Sequence, residues 1–167
     1  VFVVVRHRVS GPNGLAIEEE HDIVYRGEPP QNGRKGLDQS SISPAGATLE
    51  QAPWMRVIEP DSVLLFRYSA LIFNGHRIHY DRTYAREEED YRDLVVHGPL
   101  CALLGLEIAR RHRPTAFVRG FEYRLTAPAF AGADVWVGGT PDGDRIDVAA
   151  GSDGAPESVR GSIELAT

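Results

Sequence analysis

Apolar and polar positions change rhythm several times along the chain. Residues 2–10 read Phe-Val-Val-Val-Arg-His-Arg-Val-Ser, a β-branched run that predicts a strand. Gly11-Pro12-Asn13-Gly14 puts four turn formers in a row. Ile17, Ile23, Val24 and Tyr25 then predict a second strand over 15–26. Two strands on a tight turn make a hairpin, which is marginal in water and needs another sheet to join. Residues 27–52 are rich in Gly, Pro, Gln, Asn, Ser and Lys and read as a linker without periodicity. Order resumes at Pro53-Trp54, and the apolar run 63–68 predicts a strand.

Val95-Val96-His97-Gly98-Pro99 opens the one long helix, predicted over 100–111. Leu100, Leu103, Leu104 and Ile108 fall on one helical stripe. Pro99 suits the first turn, where its missing N–H costs nothing, and Pro114 ends the helix. Arg110, Arg111 and Arg113 collect at the C-terminal end, where cations favour the dipole. Strands are predicted at 116–126, 134–139, 145–149 and 157–165, separated by Gly-containing turns. The charged run 86–90 predicts a solvated turn or short helix. One strand, one apolar helix and then antiparallel strands make an α+β layout, a sheet wrapped around a single helix.

Composition narrows the function classes. The 167 residues are 42% hydrophobic and 25% charged, which fits an ordinary globular chain. A net charge of −6 argues against a nucleic-acid platform. No apolar run approaches the roughly 20 residues that span a bilayer. The single cysteine, Cys101, rules out an intramolecular disulfide, fits a reducing compartment and reads as a packing residue. The opening Val1-Phe2-Val3-Val4-Val5 lacks both the length and the preceding charge of a signal peptide. With no initiator methionine either, the numbering is expected to begin inside a longer protein, or on a processed or partly observed one.

The most informative segment is Phe73-Asn74-Gly75-His76-Arg77-Ile78-His79-Tyr80-Asp81, followed by Val95-Val96-His97-Gly98-Pro99-Leu100. These two stretches resemble the MaoC-like hydratases and dehydratases of the hot-dog fold, specifically the subgroup of mesaconyl-C4-CoA, 3-methylfumaryl-CoA and itaconyl-CoA hydratases and mitochondrial-type 3-hydroxyacyl-thioester dehydratases. The resemblance implies a hot-dog unit over 53–167, the C-terminal half of a double hot dog. Residues 1–26 are then the terminal hairpin of a preceding, incomplete unit, with 27–52 as linker. It also implies an acyl-CoA substrate with no further cofactor, a homodimer or pseudo-dimer of hot-dog units, and a cytoplasmic or, in a eukaryote, mitochondrial location.

Site residues carry over one by one. His79 stands at the family's catalytic histidine. Asn74, with four residues between it and His79, occupies the place where the wider family has an aspartate. An amide cannot act as a base and can only orient water or substrate. Proton transfer therefore falls to His79, whose ordinary titration lies near neutrality. Gly98, at the helix start, offers a backbone N–H to the enolate oxygen.

Other residues have readings of their own. Arg67 and Arg77 are candidate partners for a carboxylated acyl group, since arginine binds carboxylates bidentately. His76, His97, Tyr80 and Asp81 are expected beside the substrate or as braces of the loop. The pattern His76-x-x-His79-x-Asp81 also resembles a metal motif, but the acyl-thioester match accounts for it better, and no metal is expected. Three functions stay open at this point: a short-chain, plain or dicarboxylic, enoyl-CoA hydratase; a 3-hydroxyacyl-thioester dehydratase of fatty-acid or polyketide synthesis; and a non-catalytic acyl-thioester-binding subunit. A thioesterase is disfavoured because no carboxylate lies between Val95 and Leu106.

Overall fold

The structure, a computed structural model, describes residues 1–25 and 52–166. The expected linker lies, apart from residue 52, outside the described residues. The chain divides into two compact units, the first containing the N-terminal hairpin. Strands β1 (Phe2–Gly11) and β2 (Gly14–Val24) pair antiparallel from Phe2 opposite Val24 to Gly11 opposite Gly14. Gly14 takes φ +103° at the turn, a conformation that side chains resist. Arg6, His7 and Arg8 lie opposite Glu20, Glu19 and Glu18 and form a cross-strand polar ladder, with ion pairs at Arg6–Glu20 and Arg8–Glu18 and a hydrogen-bond contact at His7–Glu19. These pairs are exposed, so the ladder fixes register more than it stabilises.

The second unit is one five-stranded antiparallel sheet with a long helix. Its strands are β3 (Trp54–Ile58), β4 (Phe117–Leu125), β5 (Val135–Asp142), β6 (Arg145–Gly151) and β7 (Glu157–Ala166), in the order β3-β5-β6-β7-β4. Period-two alternation turns Val135, Val137, Ile146, Val148, Val159 and Ile163 to the buried face. Helix α3 (Gly98–His112) lies against β3, β5, β6 and β7. Its last turn is held by Trp54, whose ring stacks on His112 at 4.5 Å and 2°. The helix thus begins two residues before the predicted start. Leu100 and Ile108 are buried as the stripe requires, but Leu103 is half exposed. Cys101, Ala102, Gly105 and Ala109 complete the buried face, which is therefore centred near Cys101 and Ile108 and leaves Leu103, roughly 60° beyond Leu100 on the far side, toward the exposed face.

One expectation is overturned. Residues 63–68 are not a strand; they lie in helix α1 (Ser62–Leu71). Asp61 caps it, its Oδ1 accepting the Leu64 N–H at 2.7 Å. Leu65 and Ser69, one helical turn apart, are its buried residues. A short run apolar on every side has no periodicity to tell helix from strand, and the preceding Asp61 is a local helix-start signal that the apolar pattern alone does not carry. A 3-10 turn at Arg77–His79 and a short helix α2 (Arg82–Glu87) follow, the latter running into the charged stretch as predicted.

Candidate active site

The loop between α1 and α2 is built from its own polar residues. The Asn74 N–H donates to the Ser69 carbonyl at 2.9 Å, while Asn74 Oδ1 accepts the His76 N–H at 2.9 Å. Phe73, just before it, sits at φ 55° with its ring exposed. Tyr80 Oη donates to the Gly75 carbonyl at 2.9 Å and closes the loop. Asp81 caps α2 through the Tyr84 N–H and also accepts from Arg77 at 2.7 Å. The Arg77 guanidinium lies 4.2 Å from the centre of the Tyr84 ring. The Tyr84 N–H, with Arg77, holds the Asp81 carboxyl below its ordinary range. Arg77, Tyr80 and Asp81 are therefore braces of this loop in the structure. Arg67 is exposed on α1; two residues of helix place it about 200° around the axis from Ser69, so it is not brought together with the histidines.

Residues 94–96 run between this loop and the chain after β4. The Val95 N–H donates to the Ile78 carbonyl, the Val96 N–H to the Ala129 carbonyl, and the Ala131 N–H to the Leu94 carbonyl. The Val95 carbonyl faces His79, with Nδ1 at 2.7 Å. A carbonyl can only accept, so the proton is on Nδ1, and in the neutral ring Nε2 carries the free lone pair. Burial lowers the His79 pKa below 6.5; the Val95 bond opposes this and His76 adds to it. At neutral pH the side chain is a free base.

His97, at the N-cap of α3, stacks its ring on His79 at 3.7 Å and 16°. It is 1% exposed, with Nε2 2.9 Å from Ser69 Oγ. Its Nδ1 is buried without a hydrogen-bond partner among the described residues. His76 meets His79 edge-on at 5.7 Å. Gly98 follows immediately, and as the first residue of α3 its N–H has no intrahelical acceptor. A Cβ at Gly98 would come within 2.4–3.0 Å of the Leu125 side chain, so this helix end stays open only to a glycine or to a displaced Leu125. The structure thus gathers His79, His76, His97 and the α3 start, with Asn74 tied to the same frame through Ser69. Ser69, Tyr68, whose ring meets His97 edge-on at 4.9 Å, and the Val95 carbonyl were not predicted. The i, i+4 pair Leu65/Ser69 would have pointed to Ser69 had the run been read as a helix.

Among the described residues no group of three or more His, Cys, Asp or Glu side chains is placed to hold a metal, and no helix is long and apolar enough to cross a membrane. Cys101 is buried, and burial pushes its thiol up to about 12, which leaves it a packing residue.

Residues 1–131 match the family of hydroxyacyl-thioester dehydratase type 2. The chain belongs to this family. It is 46% identical, over 98% of its length, to a mesaconyl-C(4)-CoA hydratase of Chloroflexus aurantiacus, and 36% identical over 77% of its length to a mitochondrial hydroxyacyl-thioester dehydratase type 2 of Schizosaccharomyces pombe. It spans 56% and 41% of the lengths of these two relatives. Among solved structures, it resembles the (R)-hydratase from A. caviae involved in PHA biosynthesis (TM-score 0.60, 18% identity, 72% of this chain and 98% of that one). The full-length peroxisomal multifunctional enzyme type 2 of Drosophila melanogaster superposes on 99% of this dehydratase-family chain, over 30% of its own length (TM-score 0.69, 16% identity). These likenesses establish the hot-dog fold that the two motif segments implied.

Proposed function

We propose that this chain carries the active-site part of an acyl-thioester hydro-lyase. It adds water reversibly across the α,β-double bond of a short enoyl-CoA, with a dicarboxylic acyl group of the mesaconyl type as the first candidate. The observation that carries the reading is the His79 hydrogen bond to the Val95 carbonyl. It commits one ring nitrogen and leaves Nε2 as a base on a side chain that is neutral at working pH.

In the hydration direction, water attacks Cβ as Nε2 takes one of its protons. The electron pair of the double bond moves onto the thioester oxygen, and the Gly98 N–H stabilises that enolate at the positive end of α3. The proton then passes from Nε2 to Cα, which restores the base and completes the addition. Asn74 presents its NH2 to the water oxygen, because its carbonyl oxygen is already engaged by the His76 N–H. Coenzyme A enters as part of the substrate, and the residues named require no other group.

The 46% identity over nearly the whole chain to a mesaconyl-C(4)-CoA hydratase supports hydration of a mesaconyl-type acyl group over dehydration as the working direction. The same residues run dehydration in reverse, the reading favoured by the family description. We also propose that the 1–26 hairpin belongs to a preceding hot-dog unit, so that the working protein pairs two such units. The test is loss of enoyl-thioester absorbance with crotonyl-CoA, mesaconyl-CoA and itaconyl-CoA, using the full-length protein. Turnover by wild type and a fall of roughly 10²–10⁴-fold in kcat for His79→Ala is the expected result. Folded protein that turns over none of the three would leave an acyl-thioester-binding subunit as the better reading.

A further inference from the structure

The chemistry just described uses His79, Asn74 and Gly98 and leaves a buried polar pair unemployed. Ser69 and His97 are 4% and 1% exposed and 2.9 Å apart, Oγ to Nε2. Burying two polar side chains together costs free energy unless they are paired; His97 stands at the N-cap of α3, but its side chain makes no capping bond. What it does touch is the site. The His97 ring lies flat on His79 at 3.7 Å, and the Ser69 carbonyl accepts the Asn74 N–H at 2.9 Å.

We propose that Ser69 and His97 form a positioning pair for the base: Ser69 orients His97, and the flat face of His97 fixes the plane of His79. The inference rests on the reading of His79 as the base. A ring held by one hydrogen bond at Nδ1 can still rock about that contact, and rocking swings Nε2 away from the reacting atoms. A parallel ring at 3.7 Å removes that freedom. Misplacement by about 1 Å can cost on the order of 10²-fold in rate, so the restraint is large enough to matter.

His97 does not relay the proton itself. Imidazole gives and takes protons in the ring plane, whereas the two rings meet face to face. Its pKa, lowered to about 4 chiefly by burial, keeps it neutral, so it puts no like charge against His79 when that ring accepts a proton. Among the described residues the titratable rings against His79 are His76 and His97, and those against His97 are His79 and Tyr68.

Four variants of the full chain test this: Ser69→Ala, His97→Leu, His97→Phe and the double Ser69→Ala/His97→Phe. His97→Leu keeps bulk but not the flat face, and kcat is expected to fall roughly 10²-fold with KM within about two-fold. His97→Phe restores the flat face and should recover about ten-fold of that loss. Ser69→Ala should lower kcat about ten-fold alone and add nothing in the Phe background, the non-additivity expected when one residue acts through the other.

Nitrogen NMR of the histidine rings gives a readout independent of turnover. Wild type and His97→Phe should show a single Nδ1–H tautomer at His79, and His97→Leu an averaged one. A locked tautomer and unchanged kcat in both His97→Leu and Ser69→Ala overturn the proposal. If His97→Leu does not fold, Ser69→Ala, which removes one oxygen, decides alone by the same kcat criterion. Tautomer locking that depends on His97 in a chain without hydratase turnover would support the positioning pair and sink the proposed function instead.

Discussion

His97 sits almost wholly inside the protein, its Nε2 on Ser69 and its ring against His79. Burial first, and the neighbouring His79 second, move its pKa from 6.5 to about 4. The unfolded chain therefore takes up a proton near pH 6.5 that the folded chain refuses until about pH 4. Stability from this residue is complete above pH 6.5, declines between 6.5 and 4, and is gone below. The full span is on the order of 3 kcal/mol. Denaturant melts at pH 7 and pH 5 should show a lower midpoint at pH 5, and His97→Phe should remove a large part of the difference. A pH-independent midpoint would contradict the burial argument. His79 and Asn74 were legible in the sequence because a nine-residue motif surrounds them, whereas Ser69 was hidden in an apolar run whose period could not be read. The roles of Arg77, Tyr80 and Asp81 turned on contacts between residues four or five apart, which spacing permits but does not dictate.

Strands and the long helix were the legible elements, since alternation and the Pro99 start signal agree with the sheet and with α3. Helix α1 was not. Its burial depends on two positions out of ten, and tertiary packing of Leu65 and Ser69 decides its conformation. Packing between β4 and β7 was equally invisible. Gly161 lies opposite Tyr123, and a Cβ there would stand 2.3 Å from the Glu122 carbonyl oxygen and 2.7 Å from the Tyr123 Cβ. Both neighbours belong to or adjoin the backbone and cannot swing aside. Gly161→Ala should therefore cost about 1–3 kcal/mol or more, seen as a lower unfolding midpoint. Gly98→Ala meets only the mobile end of Leu125 and should cost less stability. A Gly161→Ala protein as stable as wild type would show that β4 can leave β7 cheaply.

At the scale of the whole molecule, the hairpin and the sheet unit differ in how much they bury. The hairpin contributes no residue to the buried core, whereas β5, β6 and β7 carry most of the sheet's buried positions. In this 167-residue chain taken by itself, amides of β1 and β2 should exchange with deuterium orders of magnitude faster than those of β6, the central strand. Equal protection would mean that the hairpin is covered in solution. The change of composition at residue 27 and the boundary between the two units at 35/36 do not coincide, and whether other residues cover the hairpin is a matter of pairing that local pattern does not encode.

The order of the sheet has a further consequence. Every residue given a part in the proposed chemistry or in positioning its base lies in the single stretch 69–98, between edge strands β3 and β4, and the meander β5-β6-β7 is attached after it. The turn between β5 and β6, where Gly143 adopts φ +58°, is thus remote in sequence from all the chemistry. A chain cut at that turn would keep the whole reaction centre on one fragment, with the strands after the cut re-forming their ladders as a second piece. Nicked protein that stays associated and keeps turnover is the expected outcome. Such a break point also marks where new termini or an inserted reporter domain would be tolerated.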